Sequence, residues 1–186
     1  MTYEEYFSTA ALSIRDCSTL IPVIMEVEAI LWNSLESGGK IIWCGNGGSA
    51  SDSQHLAAEL VGRFAKNRRA LASISLTTDT SILTSLSNDF GFETIFSRQI
   101  EALGNSEDVL IGISTSGKSL NVINAVTSAK EKGMITIALT GQEESPLSKV
   151  ADISIFAPSP ITSHIQECHI AIGQALCGAL ENRVTS

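Results

Sequence analysis

Short apolar runs alternate with helical segments along most of this chain, and no other feature constrains its fold so strongly. The runs read KIIWCG, ALASISL, DVLIGIS, MITIALT and DISIFAP, and they are apolar on both faces. Runs of this kind are typical of strands that are buried in a parallel sheet. Helical periodicity fills the intervening segments around 51–64, 79–104, 119–132 and 162–183. The alternation therefore predicts a doubly wound α/β domain.

The first 38 residues predict a helical pair that packs on this sheet. Pro22 indicates a joint between two helices, because proline disrupts a helix interior, and the glycines of ESGGK end the second helix. No linker or repeat interrupts the chain, so residues 1–186 are predicted to form a single domain. Apolar side chains recur every three or four residues at Ile14, Cys17, Leu20, Ile21, Ile24, Val27, Ile30 and Leu31.

Charge and hydropathy exclude several classes of function. The formal net charge of −8 repels nucleic acid and anionic membranes, so neither is an expected partner. No apolar run approaches the roughly 18 residues that a membrane-spanning helix needs. The start, MTYEEYFSTA, lacks the basic region of a secretory signal, so a cytoplasmic location is predicted.

Loops rich in glycine and hydroxyl groups follow the first and third predicted strands, where a parallel sheet binds its ligands. They read CGNGGSAS and STSGKS, and each leads into a helix. Free N–H groups at a helix start bind anions, and hydroxyl groups add uncharged donors. We therefore expect STSGKS to hold a phosphate group, the alternative being a plain turn with an N-cap serine. Asn46, Gly47 and Gly48 could approach sugar hydroxyls.

The segment GISTSGKS also matches the nucleotide-binding P-loop pattern. Gly112, however, lies inside the third apolar run, which leaves too few residues to wrap a triphosphate. MITIALT ends in threonine rather than in an aspartate that could hold Mg²⁺. A single phosphate group, with Lys118 nearby, is the better interpretation. The CGNGGS loop lacks the G-x-G-x-x-G spacing of dinucleotide-binding folds.

His55 and Glu59 are four residues apart, so they share one face of the predicted helix that follows the first loop. Such a pair can ligate a metal or join a base to an orienting group, and it can also be a plain surface interaction. The last helix places Gln166, His169 and Gln174 in an apolar context, which suggests a site or a subunit contact. His169 taken alone is better explained as a hydrogen-bonded core histidine.

Four blocks together resemble the phosphoheptose isomerases of the SIS domain superfamily: CGNGGSASDSQHLAAELVGRF, TTDTSILTSLSNDFGFETIFSRQIEALG, DVLIGISTSGKS and HIQECHI. The resemblance covers about residues 38 to 182. It implies a five-stranded parallel sheet flanked by helices, and a homotetramer with active sites at subunit contacts. The implied reaction interconverts sedoheptulose 7-phosphate and D-glycero-D-manno-heptose 7-phosphate through an enediol, for ADP- or GDP-heptose and surface glycan synthesis.

The resemblance also implies roles for individual residues. Glu59 is the expected base that moves the proton between adjacent carbons. One zinc ion per subunit would be held by His55, Glu59, Gln166 and Gln174 and would polarise the carbonyl group. The implied phosphate ligands are Ser114, Thr115, Ser116 and Ser119, and the implied sugar site comprises Asn46, Gly47, Gly48, Ser49, Asn88, Asp89 and Gln166.

Gln174 departs from the family pattern, which usually has a histidine that acts as zinc ligand and acid–base group. An amide has no exchangeable proton near neutral pH, so zinc affinity and turnover are both expected below the family's norm. His164 or His169 could compensate. A second group of SIS proteins, non-enzymatic regulators that bind replication-initiation proteins, lacks these groups and is the alternative. The presence of both His55 and Glu59 favours the enzyme.

Overall fold

All of the predicted strands form, and they make a parallel five-stranded sheet in the computed structural model, which describes residues 1–185. The strand order is β2-β1-β3-β4-β5. The strands are β1 (Ile41–Gly45), β2 (Ser73–Ser75), β3 (Val109–Ile113), β4 (Ile135–Thr140) and β5 (Ile153–Phe156). The central strands β1 and β3 are buried along their whole length, as their apolar runs predict.

Helices cover both faces of the sheet, so the doubly wound prediction is confirmed. They are α1 (Tyr3–Asp16), α2 (Ile21–Glu36), α3 (Gly48–Val61), α4 (Thr80–Phe90), α5 (Ser97–Leu103), α6 (Leu120–Glu131), α7 (Pro146–Val150) and α8 (Thr162–Thr185). The predicted helical segment 79–104 is in fact two helices. Gly91 ends α4 with a φ of 93°, a conformation that L side chains rarely adopt, and a 3₁₀ turn at Phe92–Thr94 precedes α5.

The core has one layer on each side of the sheet. Alternate side chains of β1 enter opposite layers. Ile41 and Trp43 belong to the cluster beneath α2, α3 and α8. Ile42 and Cys44 belong to the opposite cluster, beneath α5, α6 and α7. Successive strand side chains point to opposite faces, so a continuous apolar run supplies both layers.

The N-terminal helical pair forms as predicted, with a 3₁₀ turn at Cys17–Leu20 and with Pro22 in the first turn of α2. Helix α1 packs on α8 through the Tyr6 hydroxyl, which donates to Glu167, and through Thr9, which contacts His164 Nε2 at 2.9 Å. Its outer face is apolar and exposed at Tyr3 and Phe7. No helix within residues 1–185 is long and apolar enough to cross a membrane.

The chain reverses its direction of travel across the sheet between β1 and β3. It passes from β1 outward to β2, and then returns to place β3 on the other side of β1. The two strands pair in parallel with Gly45 opposite Ile113, so their carboxyl ends lie side by side. A crevice forms where neighbouring loops separate in this way, and ligands of open α/β sheets bind there.

Candidate active site

The glycine loop after β1 needs its glycines for two different reasons. Gly47 is the N-cap of α3 and has a φ of 56°, which a residue with a side chain rarely adopts. Gly48 lies directly against Gln166 of α8, since a Cβ atom added to Gly48 would be 1.7 Å from Gln166 Nε2. The loop thus brings α3 and α8 together at the carboxyl edge of the sheet.

Asn46 connects the glycine loop to the start of α6, which follows the hydroxyl loop. Its side-chain amide exchanges two hydrogen bonds of 2.8 Å with the amide of Asn121, in the first turn of α6. Asn121 Oδ1 also accepts from the Val122 N–H at 3.0 Å, and Asn121 is 2% exposed. The predicted sugar-binding residue Asn46 therefore has its amide oriented by a buried partner.

The hydroxyl loop after β3 has the features of an anion site. Gly112 lies in β3 and does not open the loop, unlike the first glycine of a P-loop. Ser114 Oγ and Ser119 Oγ lie 3.1 Å apart, and Ser119 is the N-cap of α6 although its hydroxyl does not cap the helix. Within residues 1–185, the backbone N–H groups of Thr115, Ser116 and Ser119 have no hydrogen-bond partner in the chain. These donors and the start of α6 can together bind one phosphate group.

A cavity of about 340 Å³ opens beside this loop. Thr115, Ser116 and the exposed Lys118 form one side of it, and the loops after β4 and β5 form the others. Its other lining residues are Gly141, Gln142, Glu143, Glu144, Ser145, Ser159, Pro160 and Ile165. The volume is in the range of small-molecule pockets, which begins at about 300 Å³.

His55, Glu59 and Gln174 meet at the contact between α3 and α8. His55 Nε2 lies 3.2 Å from Glu59 Oε1 and 3.3 Å from Gln174 Nε2. The His55 side chain is about half exposed, and that of Glu59 is mostly covered. The pair predicted from spacing on one helix thus gains a third polar group from another helix. A carboxylate, a neighbouring imidazole and an amide face a single region here.

The other two histidines are engaged elsewhere. His164 is fully buried, and its ring contacts Thr9 through Nε2 and Glu167 through Nδ1. His169 is also fully buried, with Nε2 3.0 Å from the Thr140 carbonyl oxygen, and burial lowers its pKa to about 4. This agrees with a neutral core histidine at 169. Within residues 1–185, neither ring has a hydrogen bond to Gln174, His55 or Glu59.

Known proteins resemble this chain in both sequence and fold. A family model for the SIS domain matches residues 5–141. The chain is 48% identical to the phosphoheptose isomerase of Rhodospirillum rubrum over 175 residues, which cover 94% of this chain and 92% of that protein. It is 54% identical to phosphoheptose isomerase 1 of Campylobacter jejuni over 158 residues, or 85% of each chain. The chain belongs to the phosphoheptose isomerase family of SIS domain proteins.

A solved structure supports the same assignment. The phosphoheptose isomerase of Neisseria gonorrhoeae superposes with a TM-score of 0.91 at 40% identity, over 96% of each chain. The resemblance found in the sequence motifs is thus confirmed along nearly the whole chain, including the helical pair that precedes β1.

Most of the positions that the phosphoheptose isomerase resemblance singled out lie at the carboxyl edge of the sheet or at the adjoining α3–α8 contact. Ser49 is buried in the first turn of α3, and Gln166 contacts Gly48. Asn88 and Asp89 are the exception, since they lie on the exposed end of α4 and hydrogen bond to each other at 2.7 Å. Within residues 1–185, no hydrogen bond or ion pair links these two residues to the other site residues. Their predicted role in sugar binding stays a prediction.

The side chains at the α3–α8 contact fit a zinc ion if amide oxygens complete the set of ligands. The donor atoms of two ligands on a tetrahedral zinc ion lie about 3.3–3.6 Å apart, close to the separations of His55 from Glu59 and Gln174. Gln174 turns its nitrogen toward His55, so its amide would have to rotate to present Oε1. Across residues 1–185, no three His, Cys, Asp or Glu side chains form a metal-binding group, so Gln166 and Gln174 would have to complete the site.

Sequence reasoning overlooked Asp52 and Asn121, which the structure brings to this site. Asp52 is buried on α3, three residues before His55. Its spacing of three and seven residues from His55 and Glu59 was a usable signal, because such residues share a helix face. The partner of Asn121 is 75 residues away along the chain, and no local pattern indicates that pairing.

Proposed function

We propose that this protein interconverts sedoheptulose 7-phosphate and D-glycero-D-manno-heptose 7-phosphate by aldose–ketose isomerisation. The similarity to phosphoheptose isomerases over nearly the full length of both chains carries this proposal. The position of Glu59 beside His55, at the same edge of the sheet as an anion-binding loop, supports it. That similarity gives no support to the alternative of a replication regulator.

Substrate binding begins with the phosphate group. The N–H groups of Thr115, Ser116 and Ser119, which have no partner within residues 1–185, can donate to its oxygens. The hydroxyl groups of the loop add further bonds. Hydrogen bonds to a charged group are roughly twice as strong as neutral ones, so an uncharged loop can hold a dianion even in a protein of net charge −8. The sugar chain would extend from the loop toward Asn46 and Glu59.

Glu59 then acts as the base. In the ketose-to-aldose direction it removes a proton from C1, the C–H electron pair forms the C1–C2 double bond, and the C2 oxygen gains a proton. The resulting enediol loses the proton of its C1 hydroxyl as Glu59 returns a proton to C2, which leaves an aldehyde at C1. The Glu59 side chain is largely buried but still accessible, which suits a carboxylate that transfers protons to and from a bound substrate.

We also propose one zinc ion per subunit, held by His55, Glu59, Gln166 and Gln174. When bound, zinc polarises the carbonyl group and stabilises negative charge on the enediol oxygens. Gln174 can donate a hydrogen bond to a substrate oxygen but cannot carry its proton, so exchange between the two oxygens depends on other groups or on water. This difference supports a rate below that of relatives with histidine at this position.

Assembly into a homotetramer, with residues 1–38 taking part in the contacts, is part of the same proposal. The exposed apolar side chains Tyr3 and Phe7 on α1, Met25 on α2, and Phe90 and Phe92 at the end of α4 support it, because exposed apolar surface marks subunit contacts. Asn88 and Asp89 lie beside this last patch and could complete a neighbouring site. Light scattering after gel filtration tests the assembly.

The family resemblance supports a cytoplasmic enzyme whose product feeds ADP- or GDP-heptose and surface glycan synthesis. The direct test follows conversion of sedoheptulose 7-phosphate by NMR, using wild-type protein and Glu59→Gln, with Glu101→Gln on the exposed face of α5 as a matched control. We expect turnover in the wild type and the control and none in Glu59→Gln. An inert wild type that tightly binds a replication-initiation protein would replace this function with the regulatory one.

A further inference from the structure

Asp52 is a buried carboxylate that the isomerisation scheme does not use. It lies in α3 with 7% of its surface exposed, and its Oδ2 atom has no hydrogen-bond partner within residues 1–185. Burying an ionised carboxylate without a donor or a nearby positive charge is strongly unfavourable. We therefore expect a hydrogen-bond donor or a cation within the site to stabilise the Asp52 carboxylate.

The position of Asp52 on α3 indicates which group that is. Gly48, Asp52, His55 and Glu59 are separated by four, three and four residues, so they lie within about 60° of each other around the helix axis. Gly48 contacts Gln166 and His55 contacts Gln174, so both ends of this stripe face α8. Asp52 lies between them, one turn from His55. Burial raises the pKa of Asp52 to about 6, and the charge of His55 opposes that rise.

The orientation of the His55 ring turns Nε2 toward Glu59 and Gln174 and leaves Nδ1 for another partner. Nε2 faces Glu59 and Gln174, so it is the nitrogen that would ligate a metal ion. Within the described part of the chain, Nδ1 of His55 has no hydrogen-bond partner. Metal-binding histidines usually donate their other N–H to a carboxylate, a carbonyl or water, which fixes the tautomer and raises the basicity of the ligating nitrogen.

We propose that Asp52 is the positioning residue of His55, whose Nδ1–H it accepts through Oδ2 when Nε2 ligates zinc. The inference rests on the proposed zinc site. In the structure the two side chains are not hydrogen bonded to each other, so the contact requires rotation of one or both. A carboxylate at this point stabilises positive charge on the ring and the metal without occupying a ligand position.

The test measures zinc affinity of metal-stripped protein by competition with a chelating dye, without substrate. Asp52→Ala removes the acceptor and should weaken zinc binding about 10- to 100-fold. Asp52→Asn keeps an acceptor oxygen but not the charge, so its affinity should lie between those of wild type and Asp52→Ala. Asp16→Asn removes an exposed carboxylate on α1 and should change nothing.

A purely structural role for Asp52 would give a different result. Asp52→Asn should then melt at a lower temperature, whereas we expect an equal or higher one, because an amide carries no charge to bury. Affinity for inorganic phosphate at the hydroxyl loop should be the same in all variants. Unchanged zinc affinity in both Asp52 variants, or a wild-type protein that binds no zinc, would overturn the inference.

These outcomes are separable from those for the proposed function. A wild-type protein that converts sedoheptulose 7-phosphate but binds no zinc keeps the isomerase assignment and removes the role of Asp52. A protein that loses zinc affinity on Asp52 substitution but has no isomerase activity keeps the role of Asp52 and removes the isomerase assignment.

Discussion

Asn46, in the glycine loop after β1, and Asn121, in the first turn of α6 after the hydroxyl loop, share a reciprocal pair of amide hydrogen bonds, each 2.8 Å long. The loops leave β1 and β3 at paired positions, with Gly45 opposite Ile113. The amide pair therefore sets the separation between the glycine loop, which reaches the α3–α8 contact, and the hydroxyl loop, which is expected to hold phosphate. A substrate that spans the two loops depends on this separation.

Asn46 and Asn121 should be energetically coupled, because each side-chain amide is the partner of the other. Asn121→Ala leaves the half-buried amide of Asn46 without its two bonds, so the free energy of unfolding should fall by about 1–3 kcal/mol. Because the two residues act as a unit, Asn46→Ala and the double variant should show a non-additive coupling of about 0.5–3 kcal/mol in urea unfolding.

Catalysis gives a second measure of the same pair. Asn121→Ala should lower kcat while the affinity for inorganic phosphate stays the same, because the hydroxyl loop keeps its own N–H donors. Strictly additive effects on stability, together with an unchanged kcat, would show that the pair does not couple the loops.

Gln174→His should raise turnover and zinc occupancy together. The side chain at this position is 3.3 Å from His55 Nε2 and only half-buried, so an imidazole ring has both the location and the room to act. A general acid–base group is typically worth about 10²–10⁴ in rate. Steady-state kinetics and metal analysis of the purified variant check this. Gln174→Ala is the matched control and should lose zinc relative to wild type. If both quantities are unchanged in Gln174→His, another residue fills that role.

Thr115→Ala combined with Ser119→Ala should raise the dissociation constant for sedoheptulose 7-phosphate about 10²-fold, since each removes a bond to a charged group. Calorimetry measures the affinity, and Thr127→Ala, on an exposed face of α6, serves as the control. The rival P-loop interpretation requires magnesium-dependent binding of ATP or GTP. Such binding, without affinity for heptose phosphate, would contradict the assignment of the loop.

A pH dependence of stability should follow from Asp52. Its pKa is raised by burial from 3.8 to about 6, so the folded state holds a proton that the unfolded state releases between these values. Folding stability from this group is therefore greatest below about pH 4 and declines as the pH rises to about 6, by about 3 kcal/mol at most.

Urea unfolding of the metal-free protein across this pH range measures the effect, and Asp52→Asn is the reference because its side chain does not titrate. The stability of the variant relative to wild type should increase with pH. A constant difference would mean that Asp52 is not buried as a carboxylate in solution.

Much of the fold was predictable because its signals are local. A strand buried on both faces is mostly apolar, and a surface helix repeats its apolar side chains every three or four residues. Each element can therefore be predicted from its own segment of the sequence. The division at Gly91 was harder to predict, because a glycine inside a helical pattern is often tolerated. The short strand β2 and helix α7 carry too few residues for a clear period.

The sequence by itself determined the parallel α/β fold, the two ligand loops, the His55–Glu59 pair and, through its motifs, membership of the isomerase family. Only the tertiary structure decided which distant groups meet: Gln174 with His55, Gln166 with Gly48, and Asn121 with Asn46. It also decided that His164 and His169 are engaged in the core, and that Asp52 is buried with its Oδ2 atom unpaired among residues 1–185. The physical reason is that periodicity reports which face of an element is buried, whereas contacts between polar groups depend on how separate elements pack. Those contacts arise from chain segments too far apart for any local pattern to record.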